Sequence, residues 1–340
     1  MDSKGQVGSN CNILHSAVVG GQAMMNGKVT GVRSIELGVR DLSQSADFYT
    51  NIWALEEVAA DGDGIHFRAT GGEHHVLTVR ERPKPSLLGV NFSAQDRASV
   101  DRLCAKAKSY GVKVLGDPAP LPGAAGGGYG FRFETPDGLP MSISSDGVQH
   151  PNAVADRSRP SKISHVVLNS AHTDGQMPFF IDVLGFKRSD STRMMEFLRC
   201  CADHHSIAIF RNSGPSLNHV AYELPNIDGL MRGTGRLMQN GFDIEWGVGR
   251  HGPGNNVFSY FIEPDGFVAE YTTEVDQIDE ATHVPQDGEY WTKAVPMRDR
   301  WGTAGPPSNR MQFAMSGGIY LGAEPPEGVR CEDIIGRKLR

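Results

Sequence analysis

Short runs in which apolar and polar residues alternate follow one another from Gly31 onward, separated by stretches with apolar residues at helical spacing. Alternation with a period of two predicts half-buried strands, whereas a spacing of three to four residues predicts helices. The clearest helix covers residues 96–110 and ends before Gly111, because glycine commonly terminates helices. Strands and helices distributed in this way predict an α+β protein.

The order of these elements repeats once along the chain. The histidine doublet at 74–75 recurs at 204–205, and the Pro-Asp-Gly turn at 136–138 recurs at 264–266. Offsets that stay nearly constant over such a distance indicate an internal duplication. We therefore predict two homologous modules, each built from two βαβββ-like halves.

The duplication and the composition of its flanks divide the chain into four predicted segments. They are a flexible N-terminal tail at 1–28, a first module at 29–148, a second module at 160–276 and a C-terminal extension at 277–340. The tail is rich in Gly, Ser and Asn and lacks the basic start and apolar run of a signal peptide. The extension is rich in Pro, Gly and charge, and we expect it to be too polar to form a third core.

The overall charge and the cysteines exclude several classes of protein. A net charge of −7 does not suit a general nucleic-acid binder. No stretch approaches the length of a membrane span, which is about 20 apolar residues. The five cysteines are odd in number and lack zinc-site spacing, which favours free thiols in a reducing cytoplasm. We expect a cytoplasmic protein that binds neither nucleic acid nor membrane.

Two predicted strands of the second module each carry one histidine, His165 and His219, and a third strand carries Glu270. Two histidines and one carboxylate are the ligand set of a mononuclear non-haem Fe(II) site with open coordination positions. A lone histidine in an apolar strand is more often a hydrogen-bonded core residue, so the prediction depends on all three residues together. Two nearby carboxylates, Glu263 and Glu274, are interpreted as solvated groups.

The duplication allows the two copies to be compared position by position. In the first module the positions aligned with the three candidate ligands hold Ile35, Gly89 and Ser142. The shared scaffold needs none of the ligands in order to fold, so their presence in one copy calls for a chemical reason. The first module is therefore predicted to bind no metal.

Two further side chains of the second module are candidates for catalysis. His251 lies in the glycine-rich loop at 249–256, where an exposed polar side chain is the simplest alternative. Tyr260 lies in a strand, where the alternative is a core tyrosine with a satisfied hydroxyl. Its replacement by Arg132 in the first module favours a functional role.

These features resemble the vicinal oxygen chelate superfamily, and the second module is similar to the catalytic half of type I extradiol catechol dioxygenases. The most specific motif is Gly-Arg-His-Gly-Pro-Gly-Asn-Asn at 249–256, followed by Tyr260 and Glu270. The resemblance covers residues 30–275 and leaves out the tail and the extension. It implies that a degenerate first module precedes an iron-bearing second module.

The resemblance also implies a role for each candidate residue. The implied metal ligands are His165, His219 and Glu270. The implied acid–base residues are His251, Tyr260 and one member of the doublet at 204–205. Successive strand residues point to opposite faces, so only one histidine of the doublet can face the metal. We predict that it is His204, which would share its face with the small residues Ser206 and Ala208.

The predicted fold is therefore α+β, with tandem modules of paired βαβββ units whose curved sheets enclose a metal cavity and carry helices outside. The function implied by the resemblance is extradiol ring cleavage of an aromatic diol by O2 at a mononuclear Fe(II) site, and Mn(II) suits the same ligands. A homo-oligomer is also expected, since assemblies are usual in that family.

Two alternatives stay open. The first is a metal-dependent glyoxalase or isomerase of the same superfamily, in which ligands commonly come from two modules rather than one. The second is a non-catalytic protein that binds a small molecule on the same scaffold.

Overall fold

The computed structural model describes residues 27–150, 156–295 and 298–330. Most of the predicted tail, residues 1–26, lies outside these ranges, and so does the end of the predicted extension, residues 331–340. Within the described ranges, no helix is long and apolar enough to span a bilayer.

Residues before position 146 form one set of strands and helices. In chain order they are β1 (Val29–Val39), α1 (Leu42–Asp47), a π-helical turn (Phe48–Ile52), β2 (Glu56–Asp61), β3 (Gly64–Arg68), β4 (Leu77–Glu81), β5 (Ser86–Ala94), α2 (Arg97–Tyr110), β6 (Ala119–Pro120), a 3-10 turn (Gly123–Ala125), β7 (Tyr129–Glu134) and β8 (Pro140–Ser145). Helix α2 confirms the clearest sequence prediction, since Asp96 caps its first turn and Gly111 ends it at φ +94°.

A second set repeats this order and is followed by three short helices. The second set comprises β9 (Lys162–Ser170), α3 (Thr173–Pro178), a π-helical turn (Phe179–Val183), β10 (Lys187–Ser191), β11 (Met195–Arg199), β12 (Ile207–Arg211), β13 (Ser216–Glu223), α4 (Ile227–Gln239), β14 (Trp246–Arg250), β15 (Val257–Ile262) and β16 (Val268–Thr273). The helices that follow are α5 (Gly288–Ala294), α6 (Asn309–Met315) and α7 (Gly318–Leu321).

Each set forms one eight-stranded sheet, and the two sheets have the same strand order. The orders are β2-β3-β4-β1-β5-β8-β7-β6 and β10-β11-β12-β9-β13-β16-β15-β14. In both sheets an antiparallel pair, β1 with β5 or β9 with β13, joins two halves at the centre. The α+β fold of two modules with curled, unclosed sheets is confirmed.

The strand ladders give the equivalence of the two modules residue by residue. They place Gly89 at the position of His219 and Ser142 at the position of Glu270, in agreement with the sequence alignment. They correct the third pair, because Ser34 pairs with Asn91 just as His165 pairs with Ala221. The equivalent of His165 is therefore Ser34 and not Ile35.

The error in the alignment has a local cause. The connection between β3 and β4 spans residues 69–76, whereas its counterpart between β11 and β12 spans residues 200–206 and is one residue shorter. Strands before this connection are therefore offset by one position more than β4 and β5, which follow it, and the offset that aligns β5 with β13 misplaces β1 by one residue.

The repeated Pro-Asp-Gly turns hold the two modules together. Asp265, in the turn of the second module, accepts hydrogen bonds from the backbone N and Nε of Arg40 and from Ser45 Oγ, at 2.9 to 3.1 Å. Asp137, in the turn of the first module, accepts one from Ser170 Oγ. Each turn thus binds the end of the other module's first strand, and this contact explains why the turn recurs.

An aromatic cluster fills the space between the modules. The ring of Trp53 stacks on Tyr271 with 4.0 Å between ring centroids, and Tyr222 meets Trp53 edge-on. The Tyr271 hydroxyl donates to the Trp53 carbonyl at 2.6 Å. All three side chains are fully buried. The hydrophobic core is therefore continuous from the first module into the second.

The extension after residue 276 forms no strand within the residues that are described, but it is part of the second module's packing. Met311, Phe313 and Ala314 of α6 form an apolar cluster with Phe258 and Tyr260 of β15. The Asn169 amide also donates to the carbonyl of Met315 at 2.7 Å. Helix α6 therefore packs on the sheet beside one of the candidate catalytic residues, Tyr260.

The same turn as Asp265 also buries Glu263, and its interpretation as a solvated carboxylate is wrong. Glu263 is 0% exposed, and its Oε1 accepts a hydrogen bond from the backbone N of Phe267 at 2.7 Å. Its Oε2 has no hydrogen-bond partner among the described residues. Burial and the neighbouring Asp265 raise the pKa of Glu263 well above its usual value.

We predict that Glu263→Gln stabilises the protein at alkaline pH and changes little at acidic pH. Because the folded pKa of Glu263 lies above its unfolded value, the folded state binds the proton more tightly, and stability is lost as pH rises above the unfolded pKa. Glutamine cannot ionise, and its carbonyl can still accept from Phe267. Thermal denaturation at about pH 5 and about pH 8 tests this.

The matched control is Glu57→Gln, which changes an exposed carboxylate on β2. A rise in Tm for Glu263→Gln at the higher pH only, without a rise for the control, is the expected result. An equal effect at both pH values would contradict the prediction.

Candidate metal centre

Three adjacent strands in the middle of the second sheet, β9, β13 and β16, carry the predicted metal ligands. Ala221 of β13 pairs with His165 on one side and with Glu270 on the other. His219 lies two residues before Ala221 and therefore points to the same face of the sheet. The small side chain of Ala221 occupies little of the space between the three groups.

The donor atoms of this triad converge on one point. Glu270 Oε2 lies 3.2 Å from His165 Nε2 and 3.3 Å from His219 Nε2. All three donor atoms lie within 4.8 Å of one another, and all three side chains are buried. Within the described residues, no other group of His, Cys, Asp or Glu side chains brings three donor atoms together in this way.

Neighbouring side chains orient the ligands. His219 Nδ1 donates to Asn218 Oδ1 at 2.8 Å, and His165 Nδ1 lies 3.2 Å from Ser164 Oγ. Asn256 Nδ2 donates to Glu270 Oε1 at 3.2 Å. Contacts of this kind fix the imidazole tautomer and ring orientation of metal-binding histidines. Both imidazoles therefore present Nε2 toward the carboxylate.

The electrostatics of the triad suit a cation. Burial alone would raise the pKa of Glu270, but the imidazoles of His165 and His219 outweigh it and hold that pKa well below its usual value. Burial lowers the pKa of His219. An ionised carboxylate and unprotonated imidazoles are the forms that bind metal ions.

Two buried atoms of the triad have no hydrogen-bond partner in the described part of the chain, namely His219 Nε2 and Glu270 Oε2. An unsatisfied buried polar atom costs free energy, and the cost is larger for a charged group. A divalent cation at the centre of the triad would satisfy both atoms. The residues present therefore fit Fe(II) or Mn(II) on one face and leave further coordination positions open.

His251 and Tyr260 meet on the side of the triad where His219 lies. Tyr260 Oη is 3.0 Å from His251 Nε2, and the Tyr260 and His219 rings are nearly perpendicular, 5.2 Å between centroids. Burial raises the pKa of Tyr260, and the Glu270 carboxylate adds to this. Burial lowers the pKa of His251 to about 4. The histidine is therefore neutral at physiological pH.

The doublet at 204–205 has the opposite orientation to the one predicted. The His205 ring lies 4.2 Å from the His165 ring, centroid to centroid. His204 instead directs Nε2 at Asp190 Oδ2, 3.0 Å away. The prediction that His204 faces the ligands is wrong, and His205 takes that position. The doublet precedes β12 in an irregular connection, so the alternation of a regular strand does not apply there.

The glycine-rich loop packs directly against this doublet. Gly254 has φ +76°, and a Cβ at this position would lie 3.1 Å from His205 Cε1 and 3.2 Å from His204 Nδ1. Glycine is therefore required both by the backbone conformation and by the close approach to the two rings. This packing accounts for part of the sequence motif that surrounds His251.

Several site residues were missed by the sequence analysis. Asn218 immediately precedes the ligand His219, and Asn256 lies inside the motif at 249–256. Their positions in the sequence could therefore have identified both as candidates. Asp190 lies in β10, the edge strand of the second sheet, with no motif around it. Its contact with His204 depends on the tertiary fold and leaves no local sequence signal.

Comparisons with known proteins agree on a family. The model of the Glyoxalase/Bleomycin resistance protein/Dioxygenase superfamily matches residues 31–143 and 162–271. Metapyrocatechase 2 of Cupriavidus necator is 30% identical over 122 residues, which are 35% of this chain and 38% of that protein. The manganese-dependent 2,3-dihydroxybiphenyl 1,2-dioxygenase of Geobacillus genomosp. 3 is 26% identical over 266 residues, 71% of this chain and 83% of that enzyme.

Among solved structures, the Mn(II)-bound glyoxalase from Novosphingobium aromaticivorans is similar to this chain. It superposes with a TM-score of 0.77 at 42% sequence identity. The match covers 83% of this chain and 94% of that one.

We predict that His165→Ala, His219→Ala and Glu270→Ala each remove most bound Fe(II) or Mn(II), because each takes away one of the three donors that the described residues bring together. Metal analysis after dialysis, with circular dichroism to verify folding, measures this. The matched controls are Ser34→Ala and Ser142→Ala, which alter the equivalent positions of the first module and should leave the metal content unchanged. Stoichiometric metal in all three ligand variants would refute the assignment.

A second prediction concerns Asn218. Replacing it by Leu removes the acceptor that orients His219 and should weaken metal binding by about 10- to 100-fold, the range for such supporting residues. Competition with a metal chelator gives the affinity. Unchanged affinity in a folded variant would show that the Asn218 contact does not support the ligand.

Proposed function

The chain belongs to the Glyoxalase/Bleomycin resistance protein/Dioxygenase superfamily, and we propose that it is an extradiol dioxygenase that cleaves the ring of a catechol-type diol with O2. The observation that carries the proposal is the buried triad of His165, His219 and Glu270. Acid–base side chains flank it on two sides, Tyr260 near His219 and His205 near His165. The dioxygenase relatives support the same reaction class.

A metal ion held by the triad would supply Lewis acidity and open positions for oxygen ligands, the chemistry expected of Fe(II) or Mn(II) at such a site. The protein supplies the remaining requirements. It must orient the diol, accept and return protons, and exclude bulk water.

Proton transfer on one side of the triad falls to Tyr260 and His251. One hydrogen is shared between Tyr260 Oη and His251 Nε2, which are 3.0 Å apart. With its one hydrogen on Nδ1, neutral His251 can accept a proton at Nε2 when a diol hydroxyl approaches Tyr260. Stacking of the His251 ring on Phe258, with 3.9 Å between centroids, holds the imidazole in place.

The opposite side of the triad combines His205 with an apolar cluster. Val167, Phe197 and Ala208 pack together with Met195 and Phe210. The Phe197 ring lies 5.2 Å from the His205 ring. An apolar surface beside an acid–base residue suits the flat ring of an aromatic substrate, which needs few polar contacts apart from its two hydroxyls.

A second candidate is glyoxalase chemistry, the isomerisation of a thiohemiacetal without O2. It is favoured by one observation, the 42% identity with a protein solved as a Mn(II)-bound glyoxalase. Against it, all three protein donors here come from a single module. The two reactions differ in their need for O2, which makes them separable by experiment.

The test is reconstitution without oxygen using Fe(II) or Mn(II), followed by a panel of catechols with and without O2. Ring cleavage is expected as a visible absorbance that appears only when O2 is added, with stoichiometric O2 uptake. The parallel assay uses the thiohemiacetal of a 2-oxoaldehyde. Turnover of the thiohemiacetal, with no O2 uptake for any diol, would replace the proposal with the second candidate.

We predict that His205→Gln lowers turnover on the order of 10²-fold while metal content stays constant, because an acid–base group is lost without loss of a ligand. The matched control is His75→Gln, at the equivalent doublet of the first module. It should leave turnover unchanged. Steady-state kinetics on metal-loaded enzyme measure both effects, and an equal loss in the two variants would point to a structural role for the doublets.

A further inference from the structure

Three buried side chains, beginning with His205 and leading away from the metal ligands, form a continuous hydrogen-bonded line. His205 Nδ1 lies 3.0 Å from His204 Nδ1, and His204 Nε2 lies 3.0 Å from Asp190 Oδ2. The three side chains belong to residues that are only 2 to 3% exposed. None of them belongs to the metal triad or to the Tyr260–His251 pair.

The chemistry of the groups sets the direction of each hydrogen bond in this line. An ionised carboxylate can only accept, so His204 must carry its hydrogen on Nε2. When His204 carries only this hydrogen, its Nδ1 is an acceptor, and the contact at 3.0 Å requires His205 to donate from Nδ1. His205 is thereby held as the tautomer whose Nε2 is free to accept a proton.

The first module retains the doublet but not the carboxylate. His74 Nδ1 and His75 Nδ1 are 3.1 Å apart, almost as in the second module. The ladders place Ala59 where the second module has Asp190, since Ala59 pairs with His66 as Asp190 pairs with Phe197. The histidine contact is therefore common to both modules, whereas the carboxylate is found only in the second.

Asp190 is also fully bonded, which explains how the fold accommodates it. Its Oδ1 accepts from the backbone N of Gln286 at 2.6 Å, and its Oδ2 accepts from His204. A buried carboxylate is costly unless it is hydrogen-bonded on both oxygens. Asp190 thus connects the segment after β16, through Gln286, to the histidine doublet. A purely structural role for Asp190 is the alternative to be tested.

We propose that Asp190 and His204 are positioning residues that hold His205 in its Nδ1–H tautomer, so that Nε2 of His205 can accept a proton during the reaction. This proposal rests on the proposed function only where it gives His205 Nε2 a role in the reaction. The tautomer itself is a property of the folded chain and can be measured separately.

The test uses Asp190→Asn. The Asn carbonyl can still accept from Gln286, but its amide donates to His204 Nε2, where the carboxylate could only accept. His204 then carries its hydrogen on Nδ1, and His205 is forced to become the Nε2–H tautomer. The direction of every hydrogen bond in the line reverses, whereas the number of hydrogen bonds stays the same.

The readout is 15N NMR of the full-length protein labelled at histidine and loaded with Zn(II), which is diamagnetic and accepts histidine and carboxylate ligands. The spectrum of His205→Gln assigns the signals. In the unaltered protein, we expect a protonated Nδ1 and an unprotonated Nε2 for His205, and the reverse in Asp190→Asn. Asp190→Glu keeps an acceptor-only group and should restore the original tautomer.

Kinetics on Fe(II)- or Mn(II)-loaded enzyme form the second arm. Asp190→Asn should lower kcat on the order of 10²-fold with little change in KM or metal content, and Asp190→Glu should regain part of the loss. An unchanged His205 tautomer in folded Asp190→Asn would overturn the proposal, as would a reversed tautomer with unchanged kcat.

If Asp190→Asn does not fold, His204→Gln replaces it, because a Gln amide can donate or accept and should leave His205 as a mixture of tautomers. A single Nδ1–H tautomer in that variant would also overturn the proposal. A reversed tautomer in Asp190→Asn, in a protein that cleaves no diol, supports the hydrogen-bond line and refutes the proposed function instead.

Discussion

The buried carboxylate of Glu270 is the group on which the arrangement of the second module depends. It lies at the centre of an eight-stranded sheet, 0% exposed, with two imidazole nitrogens within 3.3 Å. A charge in such a position is tolerated only when the surrounding dipoles and cations compensate for it. Asn256 and the two histidines supply part of this compensation, and a divalent metal ion fits the rest. The register of β9, β13 and β16 is what brings these groups together.

Much of the site could be predicted because the chain contains its own control. The first module repeats the fold without the ligands, so the chemistry of His219 and Glu270 stands out against Gly89 and Ser142. The repeated succession of strands and helices along the chain and the main helix followed from periodicity and from the glycine that ends the helix. These features are local, or repeat at a nearly constant offset, and both kinds of signal survive in a single sequence.

The remaining features depended on contacts that no local pattern encodes. One additional residue between β3 and β4 shifted the counterpart of His165 from Ile35 to Ser34. The doublet at 204–205 lies in an irregular connection, so strand alternation selected the wrong histidine. Glu263 looks like a surface carboxylate until the first module covers it. The packing of α6 against Tyr260 likewise depends on tertiary structure.

The contacts between the modules have a consequence for how the chain can fold. The Tyr271 hydroxyl and the Asp265 carboxylate of the second module find their partners in the first, at Trp53, Arg40 and Ser45. A second module on its own would leave the Asp265 carboxylate without Arg40 and Ser45 and would expose a broad aromatic surface, while Tyr271 would keep only its hydrogen bond from Arg236. The two modules therefore form one cooperative unit despite their origin as a repeat. The copy that lacks the metal ligands completes the interior of the other, so within the fold it acts as an intramolecular subunit.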